Sequence, residues 1–394
     1  SGTAEAIDRV QRHSARYFQR PDADYLDYDD LRTSLSGYTA SIRADKNAGR
    51  HTLWGIQIGT KSPGFEINDL GQMARADVID FNADIQLRDT KPNRLLRFFQ
   101  IGHSVVGQWD YGGERQLGRI GHATTLIFHN FWNLAFRANW SARAMSNTQT
   151  RGGHYMETPR TWNFSLGLTG NQQKATNWTA TATLMDDEIG GSSKGISAGV
   201  TIRPAPQWEA SITLRYVRST TARQYIATIP GNPFTIAMWP RYVFAAIEQS
   251  TISAQLRLNY AFTPNLTVQG YAEPFASSGR FRDFGELARA RTYDLRTYGS
   301  EPGTAITAGP NGRYDVTDAS ATSPGTFSFE SPDFNVLSFR SNLVVRWEWL
   351  AGSTLFAIWQ QNRETRLPSG DLVGPGALWD ATTSPGDNFF TVKI

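Results

Sequence analysis

Apolar and polar residues alternate with period two along most of the chain. Residues 252–262 place Ile, Ala, Leu, Leu, Tyr and Phe at even positions, and Ser, Gln, Arg, Asn and Ala at odd positions. Residues 208–216 and 79–87 repeat the pattern. Because successive side chains of a strand point to opposite faces, this pattern predicts β-strands with one apolar and one polar face.

The segments between the predicted strands alternate between short and long. Tight turns are predicted near residues 46–50, 90–93, 204–207, 263–265 and 351–353, and longer connections at 60–76, 186–194, 219–249, 276–335 and 363–388. Residues 117–139 fit this rhythm only if a tight turn at 129–132 divides them into two strands. The count is then about fifteen strands, and short turns alternating with long loops are typical of outer-membrane barrels.

We therefore expect an all-β protein, an antiparallel transmembrane β-barrel of the bacterial outer membrane. A soluble sandwich or propeller also alternates, but here the polar face stays polar from strand to strand and several strands reach about ten residues, the length of a tilted spanning strand. Tryptophans beside turns would form the membrane-interface aromatics. They are Trp162, Trp178, Trp208, Trp347 and Trp349.

The segment NLVVRWEWLAGSTLFAIWQQ (342–361) illustrates why lipid is the expected apolar solvent. Arg346 and Glu348 alternate with Val345, Trp347 and Trp349, and a dry protein core would not accept those charges without partners. In a barrel wall the tryptophans would face lipid while both charges would face a wet lumen.

Charged residues recur on the predicted polar face. Rings of such side chains can select solutes in a pore, or opposite charges on neighbouring strands can pair and fill the interior. We favour pairing, in which Arg215 and Arg257 would need acids such as Glu209 or Glu273. The predicted lumen-facing residues are Arg43, Arg88, Arg203, Arg215, Arg257, Arg340, Arg346, Asp80, Asp84, Glu209, Glu273 and Glu348.

The predicted strand directions divide the chain into two regions. Residues 1–31 are expected to be an extracellular segment with a short helix at 5–14, and residues 32–394 a portion of the barrel. The connection 276–335 is too long for an inert turn, and it could plug the barrel, cap it or bind a partner. Since bacterial single-chain barrels have even strand numbers, we expect further strands upstream, within a larger barrel.

Composition narrows the function. Hydrophobic residues make up 40% of the 394 residues, the mean hydropathy is −0.42, and no apolar run is long enough for a spanning helix. The formal charge of +3 is spread along the chain, unlike the clustered bases of nucleic-acid binders. With no cysteine, disulfides, zinc–thiolate sites and thiol catalysis are excluded.

Candidate catalytic and metal motifs are weak. The loop PDADYLDYDD holds five aspartates that could bind Ca²⁺, although a turn with Asx caps is the simpler interpretation. MDDEIGG (185–191) reads as an exposed loop, because adjacent carboxylates at a loop tip do not flank a glycosidic bond. The histidines His13, His51, His103, His122, His129 and His154 lack metal-site spacing. We therefore expect no catalytic residue, no metal, no cofactor and no enzymatic activity.

Four stretches carry a family resemblance: YFQRPDADYLDYDDLRTSLSG (17–37), SPGFEINDLG (62–71), TRGGHYMETPRTWNFSLGL (150–168) and SNLVVRWEWLAGSTLFAIWQQ (341–361). They resemble the C-terminal barrel of a functionally uncharacterised bacterial outer-membrane family. In that family a β-sandwich similar to a carbohydrate-binding module precedes the barrel. The resemblance implies contact with surface glycans and supplies no catalytic residues. This chain lacks the sandwich of the family's usual layout, so the resemblance also implies that an N-terminal domain is missing upstream.

Three functions follow, in descending order of expectation. The first is passage of a polar solute, such as an oligosaccharide, through a loop-gated lumen. The second is a non-catalytic scaffold that docks other outer-membrane or periplasmic proteins or surface glycan. The third is a carbohydrate-active hydrolase, for which the sequence offers no catalytic constellation. Outer-membrane lipid is the expected partner of all three, and nucleic acid is not.

Overall fold

A computed structural model of the chain describes residues 1–67, 73–230, 240–319 and 325–394. One antiparallel sheet of 16 strands dominates it. Its strands are β1 (Thr39–Lys46), β2 (Thr52–Lys61), β3 (Val78–Asp89), β4 (Leu96–Trp109), β5 (Arg115–Phe128), β6 (Asn133–Ser141), β9 (Thr161–Thr169), β10 (Thr176–Asp187), β11 (Ser192–Ala205), β12 (Trp208–Ile229), β13 (Arg241–Thr263), β14 (Leu266–Leu287), β15 (Leu295–Thr297), β19 (Phe334–Leu350), β20 (Ser353–Leu367) and β21 (Gly386–Lys393).

The smaller elements lie in the connections. They are the helices α1 (Ala4–Arg12) and α2 (Gly376–Thr383), the hairpin β7 (Ala144–Ser146) and β8 (Met156–Thr158), a 3-10 turn (Pro310–Gly312), and the three-stranded sheet of β16 (Thr304–Ala308), β17 (Arg313–Asp318) and β18 (Gly325–Glu330). The predicted helix at 5–14 is thus observed at Ala4–Arg12. Among the described residues, no helix combines the length and the apolar character that crossing a membrane requires.

The main strands pair in chain order, which confirms the all-β antiparallel prediction. The order runs from β1 to β6, then β9 to β14, then β19 to β21, with β15 paired beside β14. The predicted turn at 129–132 is confirmed, since β5 ends at Phe128 and β6 begins at Asn133. Among the described residues, β1 and β21 are the two ends of this main strand order.

The connections at the two ends of the sheet differ, as the rhythm of the sequence predicts. At one end, here called the turn end, no connection exceeds six residues. At the other, the loop end, most connections are longer, and the longest is 288–333. Gly352, at φ +83 in the two-residue turn between β19 and β20, adopts the left-handed backbone that favours glycine.

Two predicted loops begin too early. The connection expected at 219–249 is largely strand, because β12 extends to Ile229 and β13 begins at Arg241; residues 231–239 lie outside the described part. The connection expected at 276–335 begins after Leu287, where β14 ends. Strands β12, β13 and β14 each have 22 or 23 residues, so they extend well past their neighbours. The polar and small residues of these extensions concealed the pattern.

The three-stranded sheet packs on the extended strands and is called the cap (Thr304–Ala308, Arg313–Asp318 and Gly325–Glu330). Val243 and Ala245 of β13 share a buried core with Val316 and Phe329 of the cap. Alternation along β13 places Val243 and Ala245 on the same side of the sheet as the polar residues Thr251, Ser253 and Arg257. The cap therefore covers the polar side of the sheet at the loop end.

Helix α2 lies on the opposite side. Val373, just before α2, accepts a hydrogen bond from Ser250 Oγ at 2.8 Å through its carbonyl, and its N–H donates to Ser278 Oγ at 3.0 Å. Ile252 and Ala276 complete a small core with Val373. The segment before β21 is therefore held against the apolar side of the sheet.

Candidate functional site

The register places all twelve predicted lumen-facing residues on one face of the sheet, here called the polar face. Arg43 stands opposite Gln57, which stands opposite Asn82 between Asp80 and Asp84. Farther along, Glu273 stands opposite Arg340. Directly opposed residues of antiparallel strands share a face, so the sequence pattern assigned these side chains to a common surface.

The ion pairs on the polar face are local. Arg346 Nη2 lies 2.7 Å from Glu348 Oε2, and Arg203 pairs with Glu209 across the turn between β11 and β12. Arg43 pairs with Asp45, two residues along its own strand, at 2.5 Å. Pairing of opposite charges thus accounts for part of the face.

The specific partners expected for Arg215 and Arg257 were wrong. Glu209 is engaged by Arg203, and Arg257 instead lies over the ring of Tyr271, 5.0 Å from its centroid. Within the described residues no acid forms an ion pair with Arg215, so cross-strand neutralisation of the polar face is incomplete.

The other face, here called the apolar face, exposes large hydrophobic side chains across the whole sheet. Ile196 is 63% exposed and Leu214 is 48% exposed, and comparable residues occur from β1 to β21. Monomeric soluble proteins seldom expose apolar patches beyond several hundred Å². The exposed members on the strands include Ile42, Ile56, Ile58, Ile85, Leu87, Ile120, Phe164, Leu166, Leu184, Val200, Ile212, Leu256, Leu258, Leu343, Phe390 and Val392.

The predicted interface tryptophans lie near the ends of the strands. Trp178, Trp208, Trp347 and Trp349 are at the turn end, where Trp347 and Trp349 have ring centroids 6.0 Å apart. Trp162 is at the loop end and stands opposite Trp140. Aromatic side chains therefore border the apolar face at both the turn end and the loop end.

A buried polar cluster lies at the loop end, where four separate segments meet. Arg20 Nη2 lies 2.6 Å from Asp77 Oδ2, and both side chains are 1% exposed. Tyr25 OH donates to the same oxygen at 2.7 Å, and the Tyr111 N–H donates to Asp77 Oδ1 at 3.1 Å. Asp77 has φ +54, a strained left-handed conformation, and this network of contacts holds it in place.

Asp110 is the second buried acid of this cluster. Its Oδ2 accepts from Tyr155 OH at 2.6 Å and from Gln116 Nε2 at 2.9 Å, and its Oδ1 accepts from the Glu114 N–H at 2.9 Å. Burial raises the pKa of Asp110, while the Tyr155 hydrogen bond lowers it. Burial likewise raises the pKa of Tyr25 and Tyr155.

Arginines surround this cluster. The Arg20 guanidinium lies over the Tyr155 ring at 5.6 Å, and Arg291 lies over the same ring at 5.5 Å. Nε and Nη1 of Arg20 are buried with no hydrogen-bond partner among the described residues. Burial lowers the pKa of Arg75. The charge of Arg20 lowers it further, while the charge of Asp77 raises it. The cluster is therefore a compact, buried network of charged and tyrosine side chains.

Sequence reasoning missed this cluster because its members are far apart in the chain and none sits in a recognisable motif. One signal was available. Arg20 and Tyr25 lie in the first of the four resemblance stretches, and Tyr155 lies in the third. Gly112 permits the close approach, since a Cβ there would stand 2.6 Å from Tyr25 Cε1.

The five aspartates of PDADYLDYDD diverge instead of converging on a cation. Asp22 pairs with His154 and accepts the Tyr155 N–H at 2.7 Å, while Asp27 pairs with Arg32 at 2.7 Å. Asp29 caps the N–H of Leu31 at 2.9 Å. In the described ranges no group of three or more His, Asp or Glu side chains could hold a metal ion.

The acidic loop 185–191 closes a turn. Asp187 Oδ1 accepts the N–H groups of Ile189 and Gly191 at 2.9 and 2.7 Å, and Glu188 pairs with Arg143 at 2.6 Å.

Two histidines occupy an unexpected place. His103 and His122 stand opposite each other on the apolar face, level with Trp54, with ring centroids 4.9 Å apart.

Comparison with known proteins identifies a family without assigning a function. Residues 7–372 match the model of a family described as a domain of unknown function, DUF5916. No curated protein matches the chain. The match spans the four resemblance stretches and confirms an uncharacterised family; the outer-membrane location and the sandwich module stay predictions.

Proposed function

We propose that this chain, which belongs to the DUF5916 family, is an integral protein of the bacterial outer membrane whose sheet forms part of a β-barrel wall. The observation that carries the proposal is the exposed apolar face, which continues in register from β1 to β21. In water such a face would drive aggregation, whereas lipid tails would solvate it.

The distance between the two rows of aromatic side chains supports the proposal. Trp178 lies near the turn end of β10, and Asp186 of the same strand stands opposite Trp162 at the loop end. The intervening eight steps, at about 3.3 Å each and a tilt of about 40°, span roughly 20 Å along the membrane normal. This is close to the apolar band of about 25 Å that outer-membrane barrels present.

The polar face would then line a water-filled interior through which a polar solute, such as an oligosaccharide, passes. Among the described residues some of its arginines, such as Arg215, have no acid partner, and water would solvate them. The cap lies on the polar side at the loop end, and the buried cluster joins the N-terminal segment to three loops there. Both would gate the mouth of the barrel.

A second candidate is a non-catalytic scaffold that docks a partner protein or surface glycan. It is favoured by the cap itself, which has a hydrophobic core and a buried ion network. Asp318 Oδ2 lies 2.7 Å from Arg241 Nη1, and Arg296 Nη1 lies 2.7 Å from Glu286 Oε1. A packed core and a buried ion network would give a docking surface a fixed shape.

The hydrolase alternative gains no support from the buried acids. Each oxygen of Asp77 and of Asp110 already accepts at least one hydrogen bond. A retaining or inverting glycosidase needs two carboxyl groups free to flank a sugar. We therefore place this activity below the other two.

Because the chain has no cysteine, single cysteines can report the environment of each face without background. Thr213 and Leu214 are neighbours on β12, on the polar and apolar faces. Thr213→Cys and Leu214→Cys variants would carry a nitroxide label in lipid vesicles. We expect the label at position 213 to collide with a water-soluble nickel chelate, and the label at 214 to collide with dissolved oxygen.

Equal exposure of both labels to the nickel chelate would contradict a membrane location. A second adjacent pair, Gln255→Cys and Leu256→Cys on β13, should repeat the result, because these residues stand opposite Thr213 and Ile212. Agreement of the two pairs would exclude a local distortion of one strand.

A further inference from the structure

A groove crosses the apolar face beside helix α2. Its volume is about 590 Å³. Ala180, Ala182 and Ala198 leave room in it, while Leu378 of α2 and Tyr216 are among the larger residues that line it. The groove lies on the side of the sheet that the proposed function gives to lipid, and its lining is almost entirely apolar.

Two cations stand at the loop-end border of this groove. Lys194 of β11 is directly opposite Arg218 of β12. The next pair toward the turn end, Ile196 and Tyr216, lines the groove. Alternation therefore puts both cations on the apolar face, where both are exposed.

This juxtaposition is unfavourable without a ligand. Like charges directly opposite each other on neighbouring strands destabilise a sheet. Across the described ranges, neither Lys194 nor Arg218 has an ion pair or a side-chain hydrogen bond. An anion lying between the two side chains would relieve their repulsion through charge-assisted hydrogen bonds.

Nearby acids do not neutralise the pair. Asp186 is the diagonal neighbour of Lys194 on the same face, but no ion pair joins them. Glu248, diagonal to Arg218, lies 3.1 Å from Arg282, and Arg280 pairs with Asp371. The net charge of the Lys194–Arg218 border therefore stays positive.

The height of the pair on the wall indicates the kind of anion. Lys194 stands opposite Leu184, one pair closer to the middle of the sheet than Asp186, which stands opposite Trp162. Interfacial tryptophans lie at headgroup level. The cations are thus at the depth of lipid phosphates, and the groove below them is at the depth of acyl chains.

We propose that this groove binds one phosphate-bearing lipid, with an acyl chain beside α2 and its phosphate between Lys194 and Arg218. The proposal rests on the membrane location proposed above. The groove and the cation pair identify the two halves of the ligand independently. Helix α2 forms one wall, so the lipid would also hold the segment before β21 against the sheet.

The test uses the full-length protein in neutral detergent and native mass spectrometry. Dimyristoyl phosphatidic acid is titrated as the ligand and dimyristoyl glycerol, which has the same chains without phosphate, as the matched lipid. We expect the Lys194→Gln/Arg218→Gln double variant to bind phosphatidic acid about tenfold more weakly, the loss of about 1.4 kcal/mol. Arg257→Gln, on the polar face and outside the groove lining, should bind it as the wild type does.

A groove variant separates a lipid site from a simple phosphate site. Ala182→Phe would fill the groove and leave both cations in place, so it should weaken phosphatidic acid binding as well. Equal phosphatidic acid binding by the double variant would overturn the proposal, as would inorganic phosphate competing at the same concentration as the lipid. The nitroxide result at positions 213 and 214 is independent of these outcomes, so failure of the lipid site would not be mistaken for failure of the membrane location.

Discussion

At the residue scale, Asp77 is a position held by both its backbone conformation and its buried side chain. Its left-handed backbone is unusual for a residue other than glycine, and its buried carboxylate is surrounded by Arg20, Tyr25 and the Tyr111 amide. Burying a charge is costly unless it is paired and hydrogen-bonded. The contacts with Arg20 and Tyr25 join residues more than fifty positions apart, so they decide whether the N-terminal segment stays docked on the loop end.

Removing one partner of this pair should release the segment. Arg20→Met leaves the Asp77 carboxylate buried without its counterion, and loss of one member of a buried ion pair typically costs about 3–5 kcal/mol. Hydrogen exchange of the Tyr111 amide, measured by mass spectrometry, should accelerate by the corresponding factor. Arg32→Gln breaks the exposed pair with Asp27. It should change the free energy of opening that the Tyr111 exchange reports by no more than about 1 kcal/mol. Unchanged exchange in Arg20→Met would show that the pair does not hold the segment.

Asp110 should make the stability of this region depend on pH. Its pKa is raised in the folded protein above the usual value of 3.8, so folding favours the protonated acid. The stabilisation is complete below about pH 3.8 and is lost as the pH rises through the folded-state pKa. Relative to Asp110→Asn, the wild type should therefore lose stability with rising pH, as measured by urea unfolding.

Tyr155→Phe supplies the control for that titration. The Tyr155 hydrogen bond lowers the pKa of Asp110, so its removal should move the pH-dependent window upward. A window that stays in place would mean that the titrating group is not Asp110.

At the element scale, the extensions of β12, β13 and β14 and the cap form one unit. A bulge in β14, between the pairs Phe244/Gly285 and Ala246/Arg282, redirects that strand, and Asp283 there has φ +56. Asp318 of the cap is then buried between Arg241 of β13 and Arg296 of β15. The extra strand length is thus explained by what packs on it.

Neutralising Asp318 should detach the cap without unfolding the sheet. Asp318→Asn leaves Arg241 and Arg296 with less negative charge in a buried site, where unpaired charge is strongly destabilising. Limited proteolysis should then cut within residues 299–331 while the remaining strands stay protected. Asp315→Asn, at an exposed position of the same strand, should keep the wild-type cleavage pattern. Equal resistance of both variants would mean that the hydrophobic core alone holds the cap.

At the scale of the whole molecule, the two faces of the sheet impose different surroundings. In the proposed function, lipid would cover the apolar face and water the polar face, and a curved wall between lipid and a wet interior would provide both. The cap lies on the polar side, whereas α2 lies on the apolar side, close to the proposed lipid groove. Their positions predict different consequences for solute passage.

Planar-bilayer conductance of the full-length protein distinguishes the passage and scaffold hypotheses. Replacing residues 304–330 by a short Gly-Ser linker should raise the single-channel conductance, because it uncovers the polar side at the loop end. Removing residues 376–383 takes away α2 from the apolar side and should leave conductance unchanged. No conductance in any of the three proteins would contradict passage and favour the scaffold.

The sequence by itself determined the two faces of this protein. Face assignment depends only on the period of two along each strand, so Arg43, Glu273 and Arg346 could be placed on the polar face without any knowledge of neighbouring strands. The same local rule located the tight turn at 129–132. It failed on the extensions of β12–β14, because the surroundings there are a protein cap and α2, and both sides of those strands carry mixed residues.

Tertiary structure alone decided which distant residues meet. Arg20, Asp77, Asp110 and Tyr155 converge through loops whose paths no periodicity encodes, and the juxtaposition of Lys194 with Arg218 depends on strand register. Register and loop packing are set by the sum of many weak contacts over the whole sheet. A local pattern can therefore say which side a residue faces, but only the folded chain says what it faces.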